Sequence, residues 1–136
     1  MADKRVALRW TGEGDRFEGG VPGGPVAALD GDGAVAPSPM DGLLLSLAGC
    51  MGIDILMILQ KGRVTVDGLE VEIEGDRAPE PPRRFTRLVL TVRVAGPGED
   101  DDKKVQRAVD LSRDRYCSVF HSLRTDLDVE IAIERA

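Results

Sequence analysis

The sequence predicts an α+β fold in which antiparallel strands at both ends of the chain surround one long buried central helix. Three observations predict it. An apolar run covers residues 43–59, segments with apolar residues at every second position lie on both sides of it, and glycine- or proline-rich connections separate these segments. The chain has 136 residues, of which 4% are aromatic. We therefore expect a single domain, residues 1–136, with an aliphatic core.

The N-terminal part is predicted to form short strands. Apolar residues occupy every second position of residues 6–10, which predicts the first strand. A glycine-rich stretch follows over residues 12–24, and residues 26–29 predict another short strand. The turn residues of 30–33, Asp-Gly-Asp-Gly, are expected to lead into a further edge strand.

The apolar run is predicted to form the central helix. Pro39 suits a first helical turn, Asp41 complements the positive end of the helix dipole, and Gly62 predicts the end of the helix. A helix that is apolar on every side must be buried on every side, in a membrane, in a large core or between subunits.

A subunit interface is the preferred solution. The run is 17 residues long and contains Asp54, whereas a membrane span needs roughly 20 apolar residues and tolerates an acid poorly. A chain of this size also has little interior in which to wrap such a helix. We therefore predict a homodimer in which Gly49 and Gly52 allow two helices to approach closely.

The C-terminal half is predicted to add strands and a second helix. Residues 69–73 and 88–94 alternate in the manner of two long strands, and the proline-rich residues 77–84 connect them. The acidic residues 99–102 predict the start of a helix, and residues 127–133 predict a last strand.

Charge and the N-terminal residues limit the classes of function. The net charge is −6, which argues against general binding to nucleic acid or to anionic membranes. The first residues have no apolar core of a secretory signal. We therefore expect a cytoplasmic protein that acts neither on nucleic acid nor in a membrane, with cysteines kept reduced.

The two cysteines are the candidate reactive residues of the chain. Cys50 lies in the middle of the predicted helix, and Cys117 follows the second helix. They could be small buried hydrophobic residues or a redox pair, and a redox pair needs Cα atoms within about 7 Å of each other. Cys117 and His121 are four residues apart, but two ligands fall short of the usual four, so no metal is predicted. A Cys–His nucleophilic site is disfavoured, because a single histidine near an apolar surface is more often structural.

Two motifs resemble a known family. Residues 39–50, Pro-Met-Asp-Gly-Leu-Leu-Leu-Ser-Leu-Ala-Gly-Cys, followed by Ile-Asp-Ile-Leu at 53–56, resemble the central helix of the OsmC/Ohr family, the osmotically inducible and organic hydroperoxide resistance proteins. Residues 105–119, which include Cys117, are similar to its second helix and second cysteine. Further similarity lies in residues 10–13, 75–78 and 82–86. The similarity thus covers essentially the whole chain and is greatest to the short OsmC-like branch.

The resemblance implies a fold, an activity and a pair of reactive residues. It implies an intertwined homodimer with the two central helices at the subunit interface, and thiol-dependent reduction of organic hydroperoxides to alcohols. Cys50 matches the peroxidatic cysteine and Cys117 the resolving cysteine. Their disulfide would be reduced by an external dithiol, often a lipoylated protein in this family, and no metal, haem or flavin cofactor is expected.

The chain departs from the family at the residues that activate the thiol. The peroxidases have a glutamate directly after the proline, together with an arginine from the N-terminal region. Here Met40 occupies the glutamate position, and Asp41 is the nearest acid. Arg16 is the candidate arginine, with Arg9 as second choice. Asp41 suits a helix-terminal role equally well, and Asp54 is predicted to be a structural hydrogen-bond acceptor.

The sequence therefore predicts a cytoplasmic thiol peroxidase. The alternative is an OsmC-like protein without efficient peroxidase activity that binds small hydrophobic or electrophilic molecules. The departure at Met40 and Asp41 keeps this alternative open.

Overall fold

A computed structural model describes residues 2–136 and confirms the α+β fold. The chain divides into two compact units, Met1–Leu45 and Ser46–Ala136. The first unit contains a three-stranded sheet in which each strand is antiparallel to its neighbour. In order across the sheet, its strands are β1 (Ala7–Trp10), β2 (Arg16–Gly20) and β3 (Ala27–Asp30).

Strand β2 lies inside the glycine-rich stretch, where the apolar pattern predicted no strand. It pairs with β1 and β3, and Gly19 lies opposite Leu8. A Cβ atom on Gly19 would lie 1.9 Å from the carbonyl oxygen of Ala7. The close approach of two backbones therefore requires glycine here, and glycine carries no signal of alternation.

The segment after β3 is a turn held by Asp30. This side chain is buried, and its carboxylate accepts hydrogen bonds from the backbone N–H groups of Asp32, Ala34 and Val35. These bonds, first among them the one from Val35, hold the pKa of Asp30 below its usual value. Within residues 2–136 no strand lies between β3 and the central helix. The predicted edge strand is therefore wrong, because these backbone groups bond to a carboxylate instead of a neighbouring strand.

The central helix is confirmed as α1 (Pro39–Lys61). At its start the Ser38 hydroxyl accepts a hydrogen bond from the Asp41 N–H, and the Asp41 carboxylate accepts one from the Ser38 N–H, both at 3.2 Å. This is a reciprocal capping arrangement. At its end the chain turns through Arg63, which has a φ of 60°. The left-handed residue therefore lies one position after Gly62, the residue predicted to end the helix.

The second unit contains a mixed sheet. Strand β4 is antiparallel to β5, whereas β6 is parallel to β5. The predicted antiparallel arrangement is therefore wrong for the last strand, because a helical crossover returns the chain to the starting end of β5. The elements are β4 (Gly68–Arg77), β5 (Phe85–Ala95), a 3₁₀ turn (Glu99–Asp101), α2 (Asp102–Leu111), a π-helical turn (Ser112–Tyr116), a 3₁₀ turn (Phe120–Ser122) and β6 (Asp128–Arg135).

One stripe of α1 forms part of the core. Its buried residues recur at every fourth position: Leu47, Met51, Ile55 and Leu59. The core cluster combines Ile55 and Leu59 with Val64, Val92, Val94, Val105, Ala108 and Val109. On another stripe of the same helix, Ile53 is 62% exposed and Met57 is 52% exposed. A single chain therefore buries α1 on one side only.

Within the described residues one helix, α1, is long and apolar enough to cross a membrane. Length and composition are the only grounds for this, and the core helix of a soluble protein meets the same criterion. The acid Asp54 in its middle makes a span costly.

Candidate active site

The fold brings the two cysteines together. Cys50 lies in α1, and Cys117 directly follows the π-helical turn. Their Sγ atoms and a carboxylate oxygen of Asp54 all lie within 4.8 Å of one another. Both cysteines are free thiols, and Cys50 lies close enough to contribute to the raised pKa of Cys117. A disulfide bond is about 2.05 Å long, so an oxidant that removes two electrons from the pair would bring the sulfurs closer by up to about 2.7 Å.

The two thiols differ in burial. Cys117 is 0% exposed, whereas Cys50 is only partly buried. A small molecule that enters the site therefore meets the sulfur of Cys50 more readily.

The surroundings of Cys117 oppose its ionisation. The pKa of the Cys117 thiol is raised to about 11, and burial is the largest cause. The Phe120 N–H donates a hydrogen bond to its sulfur at 3.4 Å and acts in the opposite direction, whereas Cys50 and Asp54 are smaller causes in the same direction as burial. At pH 7 only about 10⁻⁴ of this thiol is therefore ionised. Cys117 is available as a proton-bearing thiol.

Asp54 is held by a residue that the sequence analysis did not identify. Ser112 is completely buried, and its hydroxyl donates a hydrogen bond to Asp54 Oδ2 at 2.9 Å. The predicted role of Asp54 as a hydrogen-bond acceptor is thus confirmed. The Cys117 N–H donates to the Ser112 carbonyl at 2.8 Å, a bond that spans five residues. This π-helical turn, a feature often found at functional sites, places Ser112 beside Asp54. The charged residues around Ser112 gave no signal that it is buried.

The predicted activating residues lie in the first unit. Arg16 is exposed, and its guanidinium lies 3.2 Å from the Glu13 carboxylate. Arg9 is exposed on β1. Asp41 takes part in the cap of α1, so the helix-terminal role has a structural partner. The roles of these three residues in activating Cys50 stay predictions.

His121 has a local structural partner. Its Nε2 atom lies 2.9 Å from the carbonyl oxygen of Arg113, to which it can donate a hydrogen bond. This contact fits the structural role that the sequence analysis preferred.

A cavity of about 580 Å³ adjoins Asp54 in the second unit. Its residues combine apolar side chains with two cations: Asp54, Met57, Ile58, Lys61, Gly62, Arg107, Leu111 and Tyr116. Asp54 lies one helical turn from Cys50, so the cavity is next to the cysteine pair, although neither cysteine lines it.

Comparisons with known proteins agree with this architecture. A family model described as OsmC-like protein matches residues 30–132. Protein YhfA from Escherichia coli strain K12 is 40% identical over 131 residues, which are 96% of each chain. The crystal structure of a hypothetical protein from Aquifex aeolicus VF5 has a TM-score of 0.85 and 26% identity, and the match covers 100% of this chain and 98% of that one. An organic hydroperoxide resistance protein OsmC from Legionella pneumophila has a TM-score of 0.65 and 14% identity, with 98% and 99% of the two chains covered.

Proposed function

We propose that this chain, which belongs to the OsmC-like protein family, is a cysteine-based peroxidase that reduces organic hydroperoxides. The observation that carries the proposal is the cysteine pair, with sulfurs within 4.8 Å and only Cys50 partly exposed. Some structural neighbours are named organic hydroperoxide resistance proteins, which favours the same chemistry.

The proposed reaction uses the two thiols in order. The Cys50 thiolate attacks the hydroperoxide, ROOH, and breaks its O–O bond. With one proton this gives Cys50 sulfenic acid and the alcohol ROH. The Cys117 thiol then attacks the oxidised sulfur, and its proton leaves with the hydroxyl group as water. The result is a Cys50–Cys117 disulfide. An external dithiol reduces this disulfide and becomes a disulfide itself.

The sulfur atoms serve as the redox centre of this cycle, so we propose no metal, haem or flavin cofactor. A lipoylated or other dithiol protein is the proposed reductant. The OsmC-like fold is that of a soluble protein. We place the cycle in the cytoplasm, where thiols are kept reduced.

We retain Arg16 and Asp41 as the groups that favour the Cys50 thiolate. An arginine close to a thiol favours the ionised form, and a carboxylate can orient the arginine. Arg16→Ala should then lower the rate of the first step about 100-fold, the scale of losing one group that stabilises charge. Arg9→Ala is the matched control and should stay near the wild-type rate. If Arg9→Ala lowered the rate more than Arg16→Ala does, Arg9 would be the activating arginine and Arg16 would not.

We also propose that the protein is a homodimer, as proteins of this family commonly are. Leu45, Ile53 and Met57 form an exposed stripe of α1, and Gly49 on the same stripe has no neighbour within 4 Å of where a Cβ would lie. Gly52 instead faces Val71 of its own chain at 3.6 Å. Light scattering should give twice the mass of one chain, and Ile53→Asp should give a monomer.

The deciding experiment is a peroxide assay with cumene hydroperoxide, hydrogen peroxide and a dithiol reductant, all in buffer with a metal chelator. Turnover should be faster with the organic peroxide, and Cys50→Ser should abolish it. Cys117→Ser should still consume one equivalent of peroxide and accumulate a sulfenic acid that dimedone traps. Wild-type turnover no faster than that of the free dithiol would refute the peroxidase.

A second candidate function is binding of small hydrophobic or electrophilic molecules without efficient turnover. The cavity next to Asp54 favours it, because four apolar residues line one space. Saturable binding of cumyl alcohol that Leu111→Trp blocks, in a protein with no peroxidase activity, would support this candidate.

A further inference from the structure

We propose that Cys50, Cys117 and Asp54 together form a binding site for a zinc-class divalent cation in the reduced protein. The donor atoms, two sulfurs and one carboxylate oxygen, lie within 4.8 Å of one another. Around a tetrahedral zinc ion with Zn–S bonds of about 2.3 Å, two sulfurs lie about 3.8 Å apart. The three donors therefore need to move by only about 1 Å to share one ion.

The residues outside this set already orient the donors. Ser112 donates a hydrogen bond to one oxygen of Asp54, and the Phe120 N–H donates one to the sulfur of Cys117. Metal ligands in proteins are commonly held in place by such outer hydrogen bonds. Two of the three donors are thus oriented before any ion arrives, and the third, Cys50, lies in helix α1.

The chemistry of the donors favours zinc. Two thiolates suit a soft or borderline cation, and the carboxylate favours a divalent ion such as Zn²⁺ over Cu(I). Three protein donors leave the fourth position of a tetrahedral ion to water. Cys50 and Asp54 are both partly exposed, so the ion enters from their side. Binding forms two Zn–S bonds and one Zn–O bond, and each thiol that is protonated beforehand releases its proton to solvent.

The cation site has a consequence for the proposed peroxidase. An ion that holds both sulfurs removes them from attack on a peroxide and from disulfide formation. Disulfide formation in turn destroys two of the three ligands. Zinc binding and peroxide oxidation of the pair should therefore exclude each other. The binding itself does not depend on peroxidase activity.

The test measures zinc directly, without peroxide, on the full reduced chain. ZnCl₂ is titrated in competition with a chromophoric chelator, and Co²⁺ provides a thiolate-to-metal absorption band. We expect one ion per chain. Cys50→Ser, Cys117→Ser and Asp54→Asn should each weaken binding at least about tenfold, because even outer-sphere changes do so. Asp100→Asn is the control, since Asp100 is exposed, and it should bind like the wild type.

A second measurement uses the wild type alone and is therefore informative even if a variant fails to fold. In the wild type Zn²⁺ should slow alkylation of Cys50 by iodoacetamide, and a chelator should restore it. The oxidised protein should lose the site. No competition with the chelator, equal affinity in all variants, or unchanged binding in folded Asp54→Asn would overturn the proposal. Peroxidase activity is assayed separately with chelator present, so its loss leaves this result intact.

Discussion

The buried thiol of Cys117 makes a prediction about stability at high pH. Its pKa is raised from 9.0 to about 11 in the folded protein. In the unfolded chain the thiol loses its proton near pH 9, whereas in the folded chain it keeps the proton until about pH 11. The unfolded state therefore binds fewer protons between these values, and stability falls as the pH rises.

The expected loss follows from the two pKa values. It is close to zero at pH 8, reaches about 1.4 kcal/mol at pH 10, and approaches about 2.7 kcal/mol above pH 11. Cys117→Ala removes the titrating group. The variant should thus be less stable than the wild type at neutral pH, and the difference should shrink by about 1.3 kcal/mol between pH 8 and pH 10.

The assay is urea unfolding with a reductant at fixed protein concentration, since a dimer would make the midpoint depend on concentration. Val109→Ala is the matched control, because it truncates another completely buried side chain that does not titrate. Its cost should be the same at every pH. If Cys117→Ala also showed a constant cost from pH 8 to pH 10, the raised pKa of Cys117 would be refuted.

Three further substitutions test contacts described above. Ser112→Ala removes a hydrogen bond to the Asp54 carboxylate and should lower the free energy of unfolding in urea by about 1.5–3 kcal/mol. Its control is Ser118→Ala, which changes an exposed serine and should alter the free energy of unfolding by less than about 0.5 kcal/mol in the same experiment. Gly19→Ala places a Cβ 1.9 Å from a backbone oxygen of β1 and should cost about 1–3 kcal/mol, read from thermal unfolding by circular dichroism. Arg63 has a left-handed backbone at φ 60°, a conformation that glycine adopts without strain, so Arg63→Gly should raise the free energy of unfolding by about 1 kcal/mol. A free energy of unfolding below that of the wild type would contradict the left-handed conformation of residue 63.

Long periodic segments were predictable because burial leaves a pattern in the sequence. The apolar run predicted α1, and alternation predicted β4 and β5. Strand β2 was not predictable from pattern, because Gly19 is required by backbone contact and carries no side chain. The parallel direction of β6 was also not predictable, since a strand with one buried face shows the same alternation in either direction.

The candidate site was predictable only in part. Pattern alone left the cysteines as either packing residues or a redox pair, and the resemblance to the OsmC/Ohr family brought them together. Neither the hydrophobic pattern nor the family resemblance predicted that Ser112 is buried beside Asp54. Its burial depends on a π-helical turn that bonds it to Cys117 across five residues, and such a turn has no signature in hydrophobic periodicity.

The position of Asp54 bears on the order of the proposed chemistry. A carboxylate beside two thiols opposes the formation of negative charge, and with Cys50 it raises the pKa of Cys117. Cys117 therefore keeps its proton at neutral pH, which suits the second thiol of the proposed cycle. In the proposed cycle Cys50 reacts first, and its oxidation to a neutral sulfenic acid removes one of the causes that raise the pKa of Cys117, so that pKa should then fall. Ionisation of the second thiol becomes easier only after the first has reacted. The same concentration of negative groups explains why a divalent cation would stabilise the reduced site, which links the two proposals through one cluster.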